Sequence, residues 1–344
     1  MTGIDVGTRS LKGIQLARHK GRVCVEKFFY QDLAANNELY PLDTSAGDTL
    51  KALATVSGFQ KTPICCAPAD GDVLTLDLTL PEMPKKDLES AVRNEIETHL
   101  NLKSEDVSVS YLHLKPVPVG DATHNLIKVY CVNRQVLLPL LQSLRAAGTE
   151  PKHVDSGILA RIALLIFNGT IAPDKNYIQI DIGESHIAVA LVHNSKVSIS
   201  SVLPRGMGAI NKLLFDSSGL VYNDAEKIKL SYDLGGESSS IGEIEQNLID
   251  ENFQQIFYKV RRLVDVFRVH LKSDPIESVI LTGGGSQLKH LPQTIEESFK
   301  LPSVIADPFK NIDLYSHSGL QNDSLARLAP YMATAVGLAL RGVG

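Results

Sequence analysis

Apolar and polar positions alternate with a period of two over residues 3–6, 11–16 and 22–30, and Gly7-Thr8 and His19-Lys20-Gly21 separate these segments. That pattern predicts a meander of three strands with short turns. A helical spacing over 48–57 and an apolar run over 63–67 predict a helix and a fourth strand. Val73, Leu74, Leu76, Leu78 and Leu80 mark a further strand ending at Pro81. Behind Pro84, Leu88, Val92, Ile96 and Leu100 recur at every fourth position, the stripe of an amphipathic helix. Strands over 107–114 and 126–132 flank a polar loop at 120–125, and a helix over 135–147 ends at Gly148. Residues 72–153 therefore read as a small α+β insert.

The opening pattern then returns. Ile180-Asp181-Ile182-Gly183 restates Ile4-Asp5-Val6-Gly7 at an offset of 176 positions, and the turns His19-Lys20-Gly21-Arg22-Val23 and His193-Asn194-Ser195-Lys196-Val197 are also alike. A repeat carried through a whole meander implies duplicated domains. Helices follow over 208–215, 224–232 and 241–271, then a strand over 276–281, a triple glycine, and helices over 288–299 and 325–340. The expected organisation is an α/β chain of two lobes. The first spans 1–71 and is completed by 154–175 and a C-terminal helix at 323–344. The second spans 176–322, with a helical subdomain at about 206–274.

Composition narrows the function. Across 344 residues, 44% are hydrophobic and 21% charged, the balance of a chain that buries ordinary cores. The net charge of −5 is spread along the sequence, so the broad cationic footprint of a nucleic-acid binder is missing. Cys24, Cys65, Cys66 and Cys131 form no Cys-x-x-Cys pair and read as small buried hydrophobes in a reducing compartment. The start of the chain lacks the basic and apolar stretches of a secretory signal. The longest apolar run, 158–167, is interrupted by Arg161 and is short of the ~20 residues that span a bilayer. A cytoplasmic location without a membrane span is expected.

Both Asp-x-Gly turns follow apolar strands. Glycine allows a tight turn that brings N–H groups close to a phosphate, and an aspartate at a strand end can hold Mg2+ directly or through water. One such turn is equally an ordinary hairpin; two, opening duplicated meanders, point to loops gripping a nucleotide from opposite sides. Thr8, Ser10 and Lys12 offer hydroxyls and an ammonium to phosphate oxygens, or else line a solvated strand face. The matching region of the second turn is Glu184, Ser185 and His186, where a carboxylate beside phosphates is unfavourable unless it points away or toward the metal. Leu281-Thr282-Gly283-Gly284-Gly285-Ser286 joins a strand to a helix, and its missing Cβ atoms leave room for a base or ribose near a helix N-terminus. Glu226 and Lys229, three apart, share a helix face and can bracket a ribose or adenine, or form a surface ion pair. The sequence holds no Gly-x-Ser-x-Gly, no His-Glu-x-x-His and no Walker loop, and its ten histidines are scattered.

The order of these motifs resembles the actin-like ATPase superfold, a duplicated ribonuclease H-like fold. Leu80-Pro81-Glu82-Met83-Pro84 leading into Ala91-Val92-Arg93-Asn94-Glu95-Ile96-Glu97, the tail from Ile280 through Leu301-Pro302 to Ala306-Asp307-Pro308-Phe309, and Val336-Gly337-Leu338-Ala339-Leu340 carry a closer resemblance. Over nearly its whole length the chain is similar to the PilM family of type IV pilus assembly proteins, related to FtsA. The resemblance implies an ATP-binding cytoplasmic scaffold that recruits the N-terminal tail of a PilN-like inner-membrane protein near the insert. It also implies contact with pilus or secretion motor components, and makes self-association an option. The implied nucleotide set is Asp5, Gly7, Thr8, Ser10, Lys12, Asp181, Gly183, Ser185, Gly206, Glu226, Lys229, Gly283, Gly284 and Gly285, with Asp5 and Asp181 at Mg2+. Ser156-Gly157-Ile158 stands where such ATPases orient the attacking water, so hydrolysis is expected to be slow at most. The chain ends Leu340-Arg341-Gly342-Val343-Gly344, without the amphipathic membrane-binding tail of FtsA-like proteins, so membrane attachment is expected through partners. Two alternatives stay open: a small-molecule kinase with Asp155 or Asp181 as base, and a pseudo-ATPase component of a type II secretion platform.

Overall fold

The computed structural model describes residues 1–33, 58–59, 62–120, 122–233, 242–271, 274–314 and 322–343. The helix expected over 48–57 lies outside them. β1 (Thr2–Val6), β2 (Ser10–His19) and β3 (Arg22–Asp32) form the antiparallel meander that the alternation predicts. Between β2 and β3, Lys20 and Gly21 take φ of 50° and 84°. Two successive positive φ values make a turn whose twist matches the flanking strands. β4 (Pro63–Cys66) then pairs parallel with the other edge of β1.

Contacts divide the chain into two compact units, one of Met1–Ala67 with Leu144–Gly344 and one of Pro68–Ser143. The smaller unit holds β5 (Val73–Pro81), α1 (Lys85–Leu100), β6 (Val107–Val119) and β7 (Ala122–Asn133); α2 (Arg134–Ala146) leads out of it. Its antiparallel sheet runs β5-β7-β6. Leu88, Val92 and Ile96 of α1 pack on Leu78, Leu80, Ile127 and Val129, which makes the i, i+4 stripe the buried face. α1 stops at Asn101, which adopts the left-handed conformation at φ 52°. Arg93 Nη1 donates to Ser104 O at 3.1 Å and Ser104 N donates to Glu97 Oε1 at 3.0 Å, pinning the exposed face of α1 to the turn that follows it.

The larger unit contains β8 (Glu150–Val154), α3 (Gly157–Phe167) and then a second meander, β9 (Asn176–Ile182), β10 (Ile187–His193) and β11 (Lys196–Leu203). α4 (Gly208–Ser218), α5 (Tyr222–Ser231) and α6 (Glu243–Leu271) follow, then β12 (Ile276–Thr282), α7 (Leu291–Phe299), β13 (Ser303–Ile305), β14 (Asp313–Leu314) and α8 (Asn322–Leu340). Its two sheets run β14-β3-β2-β1-β4-β8 and β11-β10-β9-β12-β13. Setting β14 aside, both carry the same order: a three-strand meander extended beyond its first strand by two parallel strands. The hairpin turns match as well, since Asn194 and Ser195 take φ of 50° and 58°.

Residues 150–153, placed in the insert by the sequence pattern, form β8 at the edge of the large sheet. Glu150-Pro151-Lys152-His153 is polar, as an edge strand tolerates, so hydrophobic alternation does not reveal it. All four cysteines are buried, and burial pushes the Cys65 and Cys66 thiols up to about 12.

α3 is apolar on two faces. Leu164 joins the core that α8 makes with β2 and β3, whereas Ile158, Ile162 and Leu165 pack on Ala188, Ala190 and Val192 of β10. Backbones meet closely around α8: a Cβ on Gly337 would lie 2.1 Å from Ala160 O, and one on Gly3 would lie 2.0 Å from Ala335 O. Neither neighbour is a flexible side chain, so the added methyl forces backbone movement. Gly337→Ala is expected to destabilise the protein by about 2–3 kcal/mol, the upper range of an overpacked core. Urea unfolding checks this, and a loss below about 0.5 kcal/mol would mean that the contact relaxes freely.

Candidate functional site

One backbone hydrogen bond shapes each Asp-x-Gly turn. Gly7 N donates to Ser10 O at 3.1 Å, and Gly183 N donates to His186 O at 3.0 Å. A Cβ on Gly183 would stand 2.9 Å from that same His186 carbonyl, so the turn closes only over glycine. The registers place Asp5 opposite Lys12 and Asp181 opposite Ala188. Lys12 Nζ reaches Asp5 Oδ2 at 2.8 Å. Ala188 offers no such group, and the cation beside Asp181 comes instead from α3: Arg161 Nη1 lies 3.6 Å from Asp181 Oδ2 and donates to Thr334 Oγ1 at 3.0 Å. Thr282 Oγ1 donates to Asp181 Oδ1 at 2.6 Å, and Gln179 Nε2 donates to Thr282 Oγ1 at 2.8 Å. Among the described residues, no group of three or more His, Cys, Asp or Glu side chains gathers to hold a metal. The hydroxyl residues divide: Ser10 is buried, whereas Thr8 and Ser185 sit exposed on their turns, with Ser185 Oγ 3.0 Å from His186 Nδ1.

Glycines surround the second turn. Met207 N donates to Gly183 O at 3.0 Å and Gly208 N to Glu184 O at 2.9 Å, and a Cβ on Gly206 would fall 2.4 Å from Glu184 O. Gly283, at φ 84°, and Gly285 lie against Ile182, and Gly284 lies against the ring of Tyr331. The triple glycine opens a short 3-10 turn, Gly284–Gln287, and the α-helix begins only at Leu291. This corrects the helix expected from residue 288. Left-handed His290 at φ 58° and Pro292 in the first helical turn set the later start, so no α-helix N-terminus stands at the glycine loop.

α5 brings three side chains to this region. Lys229 is 2% exposed, so its contact with Glu226 Oε2, at 2.7 Å, is a buried pair and not the surface pair that the spacing equally allowed. Asn211 Nδ2 donates to Glu226 Oε2 at 2.5 Å. Burial alone would raise the Glu226 carboxyl, but Lys229, Asn211 and Arg9 outweigh it and hold the group below its ordinary value. One turn earlier, Tyr222 donates from its hydroxyl to Glu184 Oε1 at 2.6 Å, tying α5 to the second Asp-x-Gly turn.

Arg9 is the participant that sequence reasoning passed over. It stands between two recognised positions, Thr8 and Ser10, but its partners are distant in sequence. Nε and Nη2 donate to the two oxygens of Asp32 at 2.8 and 2.7 Å, and the guanidinium lies 4.2 Å from the centre of the Tyr222 ring. Nη1 is 3.8 Å from Glu226 Oε2. Burial works against the Arg9 charge, yet Asp32, Tyr222 and Glu226 together raise its pKa. Arg9 thereby joins the first turn to α5.

The residues offered for other chemistry are engaged. Asp155 accepts from Ser156 N at 2.8 Å and pairs with Arg341, while Ser156 caps α3 by accepting from Leu159 N.

Two like-ordered sheets, each opened by a glycine-closed turn, are the plan of the actin-like ATPase fold. Three solved structures share it. A PilM-PilN type IV pilus biogenesis complex is 22% identical, with a TM-score of 0.84, covering 100% of this chain and 98% of that one. The ethanolamine utilization protein EutJ of Carboxydothermus hydrogenoformans is 12% identical, with a TM-score of 0.52 over 98% and 88% of the two chains. MreB5 of Spiroplasma citri bound to ADP is 12% identical, with a TM-score of 0.50 over 90% and 92%. The chain belongs to the family described as type IV pilus assembly protein PilM, whose pattern it matches over residues 3–343.

The Glu226 cluster gives a pH signature. Its pKa is lower in the folded protein than in the unfolded chain, so the cluster stabilises the fold above about pH 4.5, and that contribution is lost as pH falls through the folded value. Glu226→Gln is expected to cost about 2 kcal/mol at pH 7, the scale of a buried donor left without its acceptor, with the difference from wild type shrinking below pH 4.5. Urea unfolding at pH 7 and pH 4 measures both, and a difference that stays constant with pH would remove the charge of Glu226 as its source.

Proposed function

We propose that the chain is an ATP-binding scaffold of a type IV pilus assembly platform, held at the cytoplasmic face of an inner membrane by the tail of a PilN-like protein. The observation that carries nucleotide binding is the convergence on α4 and α5 of two matched glycine turns, each with an aspartate two residues before its glycine. The ADP bound to MreB5 on the same fold supports this reading. In it, the amides of both turns with Ser10 and Lys12 receive phosphate oxygens, Glu226 and Lys229 face the ribose, and the Gly283-Gly284-Gly285 loop lies along the adenosine. Asp5 and Asp181 each already have a cationic neighbour and, among the described residues, stand outside any acidic cluster. That donor set fits Mg2+ held through its water shell beside the phosphates, the mode this ion favours. When bound, Mg2+ neutralises phosphate charge.

Turnover in this reading is slow. Asp155 is committed to Arg341 and Ser156 to its helix cap, which leaves little to orient a water. The same commitments speak against a kinase, whose base must accept a proton from its substrate.

Partner recruitment is supported by the family and by the complex with PilN that the first structural neighbour forms. Among the described residues, no helix is long and apolar enough to cross a membrane. The Pro68–Ser143 unit is the proposed docking module. On α1, Arg93 and Glu97 already brace the Ser104 turn, so changes there act on the shape of that module as well as on its charge.

Calorimetric titration with ATP tests the site. The protein is expected to bind ATP with Mg2+ at roughly micromolar affinity, about −8 kcal/mol. Asp5→Ala is expected to weaken binding at least tenfold without unfolding the chain. Unchanged affinity in the folded variant would show that the site lies elsewhere.

A second titration tests coupling, using a peptide of the PilN-like tail against the ATP-bound, ADP-bound and nucleotide-free protein. At least a fivefold spread in affinity is expected, because a ligand shifts a conformational equilibrium only by its differential affinity for the two states. Equal affinity in all three would leave a scaffold without a nucleotide switch.

A further inference from the structure

Arg9 carries a buried donor that no acceptor among the described residues satisfies. A guanidinium presents two edges of paired donors, each matched to the two oxygens of a carboxylate or phosphate. One edge of Arg9 is committed, since Nε and Nη2 clasp both oxygens of Asp32. The ring of Tyr222 covers one face and holds the plane in place. What remains is Nη1, which is buried and has no hydrogen-bond acceptor among the described residues. Glu226 Oε2, at 3.8 Å, is near enough to attract its charge but too far to accept its proton, and that oxygen already accepts from Lys229 and Asn211. A buried donor left in this condition is costly to the fold and gains when an acceptor arrives.

Its position identifies the acceptor. Arg9 sits inside the Gly7 to Ser10 turn, two residues past the glycine, and from there its Nη1 reaches toward Glu226 of α5. A ribose hydroxyl is better served by Glu226, which accepts, whereas Nη1 can only donate and belongs to a charged guanidinium. At the matching position of the second turn the chain has Ser185, exposed and uncharged. The duplicated turns are therefore unequal, and the first alone carries an arginine.

We propose that Arg9 reads the phosphate chain of the bound nucleotide, donating from Nη1 to a phosphate oxygen while Asp32 and Tyr222 hold it in place. This deepens the nucleotide reading above and rests on it. Because Tyr222 also binds Glu184, phosphate at Arg9 touches a network that spans both turns through α5.

The experiment titrates the full chain with ATP and with adenosine, each with Mg2+, for wild type, Arg9→Ala and Arg9→Lys, after thermal unfolding has confirmed that each variant is folded. Arg9→Ala is expected to weaken ATP at least tenfold while adenosine changes less than twofold. Arg9→Lys, which keeps the charge but cannot both clasp Asp32 and present a second donor, is expected to recover only part of the ATP affinity. Equal losses for ATP and adenosine would overturn the proposal, because Arg9 would then act on the ribose side or on the site as a whole. Undiminished ATP binding in Arg9→Ala would overturn it too, with the nucleotide reading intact. Wild-type protein that binds neither ligand would remove that reading and this proposal together.

Discussion

A single backbone hydrogen bond, from a glycine N–H to the carbonyl three residues on, organises each half of the larger unit. It ends the first strand of a meander and returns the chain as the second, and so sets the register between them. Everything that the two turns can hold follows from that register. In the first it places a lysine opposite an aspartate; in the second it places an alanine there. Duplication has preserved the backbone, down to hairpin turns with matching positive φ values, while the side chains have diverged. The first turn carries its own cations in Arg9 and Lys12. The second borrows one from α3.

That borrowed cation carries a cost and a benefit. Arg161 is 2% exposed, and burying an arginine is unfavourable unless its partners are well placed. Asp181 and Thr334 supply them, so the side chain ties α3 at once to β9 and to α8. The glycines reinforce the arrangement: Gly337 admits α3 to α8, and Gly3 admits α8 to β1, at distances where any Cβ would strike a carbonyl. Asp181 is thus part of the joint between the two sheets as well as a residue of the turn. A change there acts on both.

Much of this was legible in the chain. The repeat of Ile4-Asp5-Val6-Gly7 at Ile180-Asp181-Ile182-Gly183 exposes the duplication, because strands buried on both faces keep an apolar pattern that survives divergence. Glu226 and Lys229 are legible as a pair because helix geometry makes positions three apart neighbours. Three features escaped for distinct reasons. β8 is polar, since an edge strand needs no apolar alternation. The start of α7 was misplaced because His290 takes a left-handed φ, which only the surrounding fold imposes on a histidine. Arg9 was overlooked because its role is made by Asp32, Tyr222 and Glu226, and no local spacing joins a turn to a helix more than 200 residues later.

The pairing of charges bears on how tightly the proposed site would hold a nucleotide. Lys12 faces Asp5, Lys229 faces Glu226, Arg161 faces Asp181 and Arg9 clasps Asp32. Each of these cations is therefore neutralised within the protein, which lets the empty site stand without a cluster of repelling charges. The same pairing means that a polyphosphate entering the proposed site would find none of these four cations unopposed. Where it contacts Lys12 it competes with Asp5, and the net gain is the difference between two interactions of one ammonium. Affinity in the proposed reading is set by such differences, together with the loop amides and any donor left unpaired. Arg9 Nη1 would be such a donor, gaining an acceptor without surrendering one.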